Sequence, residues 1–251
     1  MLCSLSTASA GIPAFSPGLI ATTQVQDSTS TDTDGDYLTV VEAGPATSES
    51  LLTDRLATAS ADYTEFKNYA LVASGAPSSP GSFAVSNAIA RDLVTITVPG
   101  SPAGTTRLEM IWQVDGFISG DAAYDFDSRY ALNSIDQPQI DAGGVYFDSP
   151  GSFNQSVTLT YDNVPLDTAW ALRTNASAVA DGDAIGEIDF SDTATLTGVV
   201  FYIDNVLTPA DITGVSGTVY AVPEPTSLAL LGLGGFAVLV HRCGRPIESK
   251  P

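Results

Sequence analysis

The sequence predicts an all-β protein: an antiparallel β-sandwich of Greek-key or jelly-roll type, followed by a short C-terminal transmembrane helix. Three observations carry this. Only 15% of the 251 residues are charged, and most of the 29 acidic ones are aspartate, which with Thr, Ser and Gly favours turns and strands over long helices. From Ser82 onward apolar and polar residues alternate in short runs, separated by Asp-, Asn-, Pro- or Gly-containing turns at sandwich spacing. A single uninterrupted apolar run, Leu228 to Val240, stands near the C-terminus.

Along the chain, residues 1–30 are small, polar and broken by Pro13 and Pro17, so they read as a disordered region or the remnant of a signal peptide. The extracytoplasmic domain is then expected over 31–221. It opens on "TDTDGD", where Asp32, Asp34 and Asp36 alternate around Gly35. If that loop curls, the three carboxylates converge on a calcium ion; a solvated turn is the plainer alternative. Residues Ser48 to Ala73 mix spacings of three and four, and fit either a short helix or two strands meeting around Ala59 to Asp62.

The clearest strands come next. Val94, Ile96 and Val98 alternate with Leu93, Thr95 and Thr97, and Pro99-Gly100 ends the run. In Thr106 to Ile118, Leu108, Met110, Trp112 and Val114 share one face, the period of a half-buried strand. Further strands are expected at Tyr124 to Leu132, Gly144 to Phe147, Gln155 to Tyr161, Thr168 to Thr174, Ile185 to Phe190, Ala194 to Ile203 and Gly214 to Tyr220. One or two aromatics per strand suit a core. Trp112 and Trp170 are also the residues that would form a sugar-binding platform if they faced solvent.

Charge and chemistry restrict the function. A net charge of -20, from 29 acidic and 9 basic residues, opposes binding to nucleic acid. Cys3 and Cys243 lie at opposite ends, so neither a disulfide framework nor a CxxC site is indicated. His241 is the sole histidine and belongs to the tail, which removes a Ser-His-Asp triad and a histidine zinc site from the body. Carboxylate groups remain: Asp121, Asp125 and Asp127, or Asp181, Asp183 and Glu187, could supply a glycosidase-like acid and base. They read more simply as turn aspartates, with Asp181-Gly182-Asp183 a second calcium candidate because glycine lets such a loop tighten. The expectation is a protein that is not an enzyme and needs no cofactor, calcium being the one ion its carboxylates would take.

After the last strand, Pro223 and Pro225 forbid ladder hydrogen bonds, and Leu228 to Val240 offers 13 apolar residues, about 20 Å of helix. That is short of the roughly 20 residues of a comfortable span. Arg242 and Arg245 give it a positive flank, as at the cytoplasmic end of a membrane helix. "VPEPTSLALLGLGGFAVLVHRCGR" resembles the PEP-CTERM protein-sorting signal: a Pro-Glu-Pro motif, a Leu/Gly/Ala membrane segment and an arginine-containing end, covering about the last tenth of the chain. The arginines here are separated by Cys243 and Gly244, where the family has an unbroken cluster.

The resemblance implies that residues 222–245 form the sorting signal, with Pro223, Glu224 and Pro225 as recognition motif, 228–240 as temporary membrane anchor, Arg242 and Arg245 as basic flank, and 246–251 as a disordered tail. It implies an exosortase as processing partner, in a bacterium that makes biofilm or exopolysaccharide. It also implies export, with an upstream signal peptide, an inner-membrane-anchored precursor and a final place on the cell surface or in the extracellular matrix. "IGEIDFSDTATLTGVVFYIDN" is similar to the closing strands of sandwich ectodomains sorted this way, which brings no activity with it. The expected function is that of a non-enzymatic surface or matrix protein; the alternative is a carbohydrate-binding module acting on exopolysaccharide, assisted by calcium.

Overall fold

Alternation of side chains across a strand forces every half-buried strand to find a second layer, and the chain satisfies this with two antiparallel sheets packed face to face. The computed structural model describes residues 15–26, 30–39, 45–52, 55–72, 83–100, 102–120, 122–181 and 186–220. In chain order the strands are β1 (Gly18–Gln26), β2 (Thr31–Thr39), β3 (Ala46–Leu52), β4 (Arg55–Ala61), β5 (Glu65–Val72), β6 (Phe83–Thr97), β7 (Thr106–Gly120), β8 (Ala122–Ala131), β9 (Ile140–Phe147), β10 (Gly151–Asp162), β11 (Trp170–Asp181), β12 (Gly186–Ile203), β13 (Val206–Leu207), β14 (Asp211–Gly214) and β15 (Val219–Tyr220). No helix occurs among the described residues, and none there is long and apolar enough to cross a membrane. The C-terminal helix expected at 228–240 lies outside the described residues.

The first sheet runs β15-β14-β6-β11-β8-β9, with β1 also on β6 and β2 on β1. The second runs β10-β7-β12-β5-β4-β3, with β13 on β12. Between β6 and β12 the chain passes repeatedly from one sheet to the other, so most pairings are distant in sequence. Strand β6 is long enough to hold two partners along one edge: β1 pairs with Phe83 to Arg91, and β14 with Val94 to Thr97.

The interior changes character from end to end. Around β1, β3 and β4 it is lined by small residues, including Ala21, Ala46, Ala57, Ala59 and Ala61. Small side chains let the sheets approach closely enough for direct polar contacts. Thr23 Oγ1 of β1 shares hydrogen bonds of 2.8 Å with the hydroxyls of both Ser48 and Ser50 on β3. Asn68 of β5 donates to Ser86 Oγ on β6 at 3.2 Å. Further along, aromatic rings fill a wider gap: Trp112, Phe66 and Phe126 form one cluster, and Trp170, Tyr130 and Tyr161 another.

Two sequence readings change, and one open choice is decided. Gly18–Gln26, assigned to a region outside the domain, is a central-sheet strand with Leu19, Ala21 and Val25 buried, so the fold reaches back before residue 31. For Ser48 to Ala73 the two-strand alternative holds: β4 and β5 meet at a turn at Asp62, most of β3 precedes them, and no helix occurs among the described residues of the stretch. The two strands expected at Ile185 to Phe190 and Ala194 to Ile203 are one strand, β12, whose register on β5 shifts between Phe190 and Ala194. A bulge absorbs the intervening polar residues, which the sequence shows as a break.

Where β1 leaves the edge of β6 and β14 takes over, Asp92 points inward and is 1% exposed. Its carboxylate accepts hydrogen bonds from the Leu93 and Ser216 backbone N–H groups and from the Ser216 and Tyr220 hydroxyls, at 2.6 to 3.2 Å. These bonds pin the β14–β15 hairpin, whose turn uses Gly217 at φ 85°. A Cβ on Gly214 would collide with the Asp92 carboxylate, so glycine is required there. Burial pushes the Asp92 carboxyl above its ordinary value, although bonds from Ser216, Tyr220 and Leu93 pull the other way. Because the folded value exceeds the unfolded one, stability from this group is full below about pH 3.8 and declines as pH rises through the folded value. Asp92→Asn turns an amide donor toward converging donors; urea unfolding is expected to show a loss of about 1–3 kcal/mol and a flatter pH dependence in this range.

Candidate functional site

The tryptophans face the core. Trp112 is 1% and Trp170 0% exposed. Their rings lie 5.2 Å from Phe126 and 5.6 Å from Tyr161, measured between centroids. On β7, Trp112 shares the inward face with Leu108, Met110 and Val114, as alternation requires. The platform reading of Trp112 and Trp170 is therefore corrected: neither presents a face to a sugar.

The calcium reading of Asp32, Asp34 and Asp36 is corrected as well. The segment does not curl; it is strand β2, paired with β1 from end to end. Alternate carboxylates on an extended strand sit about 6.6 Å apart along it and do not converge. They turn instead to β3, the edge of the opposite sheet. Asp32 accepts the N–H of Leu51 at 2.9 Å, Asp34 that of Glu49 at 3.1 Å and Asp36 that of Thr47 at 3.1 Å. An edge strand leaves alternate N–H groups without a ladder partner, and here a row of side chains takes them. The bonds from the Glu49 and Gly35 backbone hold the Asp34 carboxyl below its ordinary value.

Other expected groups are scattered. Asp121 and Asp183 lie outside the described residues, as do Pro223, Glu224, Pro225, Arg242 and Arg245; of Asp181 only the backbone, at the end of β11, is described. Glu187 on β12 accepts the Tyr69 hydroxyl at 3.2 Å. Asp125 and Asp127 do share the outer face of β8, at a shallow depression of about 310 Å³ beside Gly143, Gly144 and Tyr146. Burial, and then the charge of Asp127, raises the Asp125 carboxyl. Asp127 is engaged by Arg129 Nε at 3.4 Å and by the Asn175 amide at 3.1 Å. One raised and one ion-paired carboxyl resemble an acid and base, yet they lie on the outer face of a sheet. Among the described residues no group of three His, Cys, Asp or Glu is arranged to hold a metal ion.

A groove that sequence reasoning missed lies on the outer face of the second sheet. It has a volume of about 470 Å³ and is lined by Asp34, Glu49, Thr58, Ser60, Lys67 and Tyr69. Glu49, Thr58, Ser60, Lys67 and Tyr69 occupy outward positions of β3, β4 and β5. The signal was present as polar residues at every second position, but it shows only once this stretch is known to be strands.

The described residues thus form an all-β, two-sheet protein, and the segment that the comparisons recognise follows the sandwich. Residues 221–242 match the family model of the PEP-CTERM protein-sorting motif. The chain carries that sorting signal, which marks an exported protein handled at the membrane by an exosortase. No curated protein and no solved structure matches the chain.

Asp34→Ala is expected to speed hydrogen exchange at the Glu49 amide, read by exchange mass spectrometry or NMR. In the wild type the Asp34 contribution is present above its unfolded value of about 3.8 and is lost as pH falls through its lower folded value, so β3 protection should drop in strong acid.

Proposed function

We propose that this is a non-enzymatic exported protein of the cell surface or extracellular matrix, in a bacterium that makes exopolysaccharide. The observation that carries the reading is the sorting motif at 221–242. An exosortase recognises Pro223, Glu224 and Pro225 while 228–240 anchors the precursor in the inner membrane and Arg242 and Arg245 hold its cytoplasmic end. Processing then delivers the acidic sandwich, which is the functional part. The non-enzymatic reading draws support from two features: Asp32, Asp34 and Asp36 are engaged in holding an edge, and Asp127 is already paired with Arg129.

The second reading, a carbohydrate-binding module, is favoured by the groove over β3, β4 and β5. Hydroxyls of Thr58 and Ser60, the charged ends of Glu49 and Lys67 and the ring of Tyr69 line one concave surface. Few polar groups around an aromatic face are the usual means of orienting a sugar.

Replacing Pro223, Glu224 and Pro225 together by alanine in the producing cell is expected to leave a full-length chain in the inner membrane, while the wild type yields a shortened chain outside it. Equal surface delivery of both, read by fractionation and immunoblot, overturns the sorting role. For the second reading, a glycan array of the full-length chain in detergent, with and without calcium, is expected to show binding that Tyr69→Ala abolishes. Absence of binding in both conditions removes that reading and leaves the first intact.

A further inference from the structure

A chain with only 9 basic residues sets three arginines side by side on the outer face of its first sheet. Arg91 of β6 lies opposite Arg173 of β11, and Arg173 opposite Arg129 of β8. Directly opposed like charges destabilise a sheet, and this row places three in succession. Among the described residues, the acidic partners stand toward one end of it. Arg129 meets Asp127 at 3.4 Å and pairs in register with Asp141 on β9. At the other end, the register neighbour of Arg91 on β1 is Gly18, and its outward neighbours on β6 are Ile89 and Leu93. The Arg91 Nε is enclosed and has no hydrogen-bond partner among the described residues.

The row also borders apolar surface. On the adjoining row Leu93, Ala171 and Ala131 are covered by Phe15. A guanidinium beside such a cluster is poorly hydrated, which strengthens its attraction for an anion. Burial, and then the charge of Arg91, lowers the Arg173 guanidinium below its ordinary value, against the pull of Asp127. Paired guanidinium forks fit an anion with two or three coplanar or tetrahedral oxygens.

We propose that Arg91 and Arg173 form a binding site for a single oxyanion, a carboxylate or a sulfate, on the outer face of the first sheet. The net charge of -20 selects the kind of ligand. A densely charged polymer is repelled along its length, whereas one acidic group, free or carried on a sugar, meets the arginines within a Debye length of about 8 Å. The site lies on the sheet opposite to the Tyr69 groove and does not depend on the carbohydrate-binding reading.

The test is a titration of the full-length chain in detergent micelles with sodium sulfate, glucuronate and glucose at constant ionic strength. The arginine Nε–H signals are followed by NMR. Saturable shifts of Arg91 and Arg173 with sulfate and glucuronate, and none with glucose, are expected. Shifts with glucuronate alone would assign the oxyanion to a sugar; shifts with sulfate alone would assign it to a free tetrahedral ion. Arg173→Gln is expected to weaken the affinity read at Arg91 by at least about tenfold. Arg107→Gln, which removes the same charge from β7 of the other sheet, leaves it unchanged. Without ligand, Arg173→Gln should also raise the melting temperature by relieving repulsion, so a loss of binding is distinguishable from a loss of fold. No saturable shift with any anion, or equal weakening by Arg107→Gln, overturns the proposal.

Discussion

The close approach of the two sheets at the alanine-lined end is the constraint from which much of the local structure follows. With Ala21, Ala46, Ala57 and Ala59 inside, strands of opposite sheets come near enough for Thr23 to bond both Ser48 and Ser50. That contact brings the edge of β3 beneath β2, where Asp32, Asp34 and Asp36 reach its N–H groups. Bulkier residues at those alanine positions would hold the sheets apart and leave three amides and three carboxylates without each other. The same row of charges protects the edge against pairing with another chain, because an approaching strand would have to displace carboxylates.

The opposite edge is closed by different means. Strands β9 and β10 follow one another in the chain, and Phe147 and Phe153 meet across them at 4.4 Å between ring centroids. Near the point where β6 changes partner, Asp92 gathers four donors. A carboxylate there satisfies groups from three places at once: its own strand, the β14–β15 turn and the last strand. Polar residues thus secure the joints of this sandwich, and apolar ones fill its span.

The strand pattern of the later chain was legible because alternation is a local property. Leu108, Met110, Trp112 and Val114 identify both β7 and its buried face from four positions alone. Residues 18–26 were missed because "GLIATTQVQ" has few large apolar residues. Its inward positions are Leu19, Ala21, Thr23 and Val25, and small residues suffice where the facing sheet is close. The β3–β5 region was obscured for the same reason: alanine and serine on inward positions give little contrast with threonine and serine on outward ones. The groove over those strands was hidden along with them.

The sequence by itself determined the strand-rich character of the body, the inward face of its clearest strands and the sorting tail, whose Pro-Glu-Pro, apolar run and basic flank are contiguous. Only the tertiary structure decided what individual polar residues do. Asp32, Asp34 and Asp36 could have met an ion in a curled loop; pairing with β1 made them a row of edge acceptors. Arg91, Arg129 and Arg173 are unremarkable at their separate places in the chain, and β6, β11 and β8 set them abreast. The reason is physical: side-chain alternation is fixed by each strand's own backbone, whereas neighbours across strands depend on which distant segments pair and in which register.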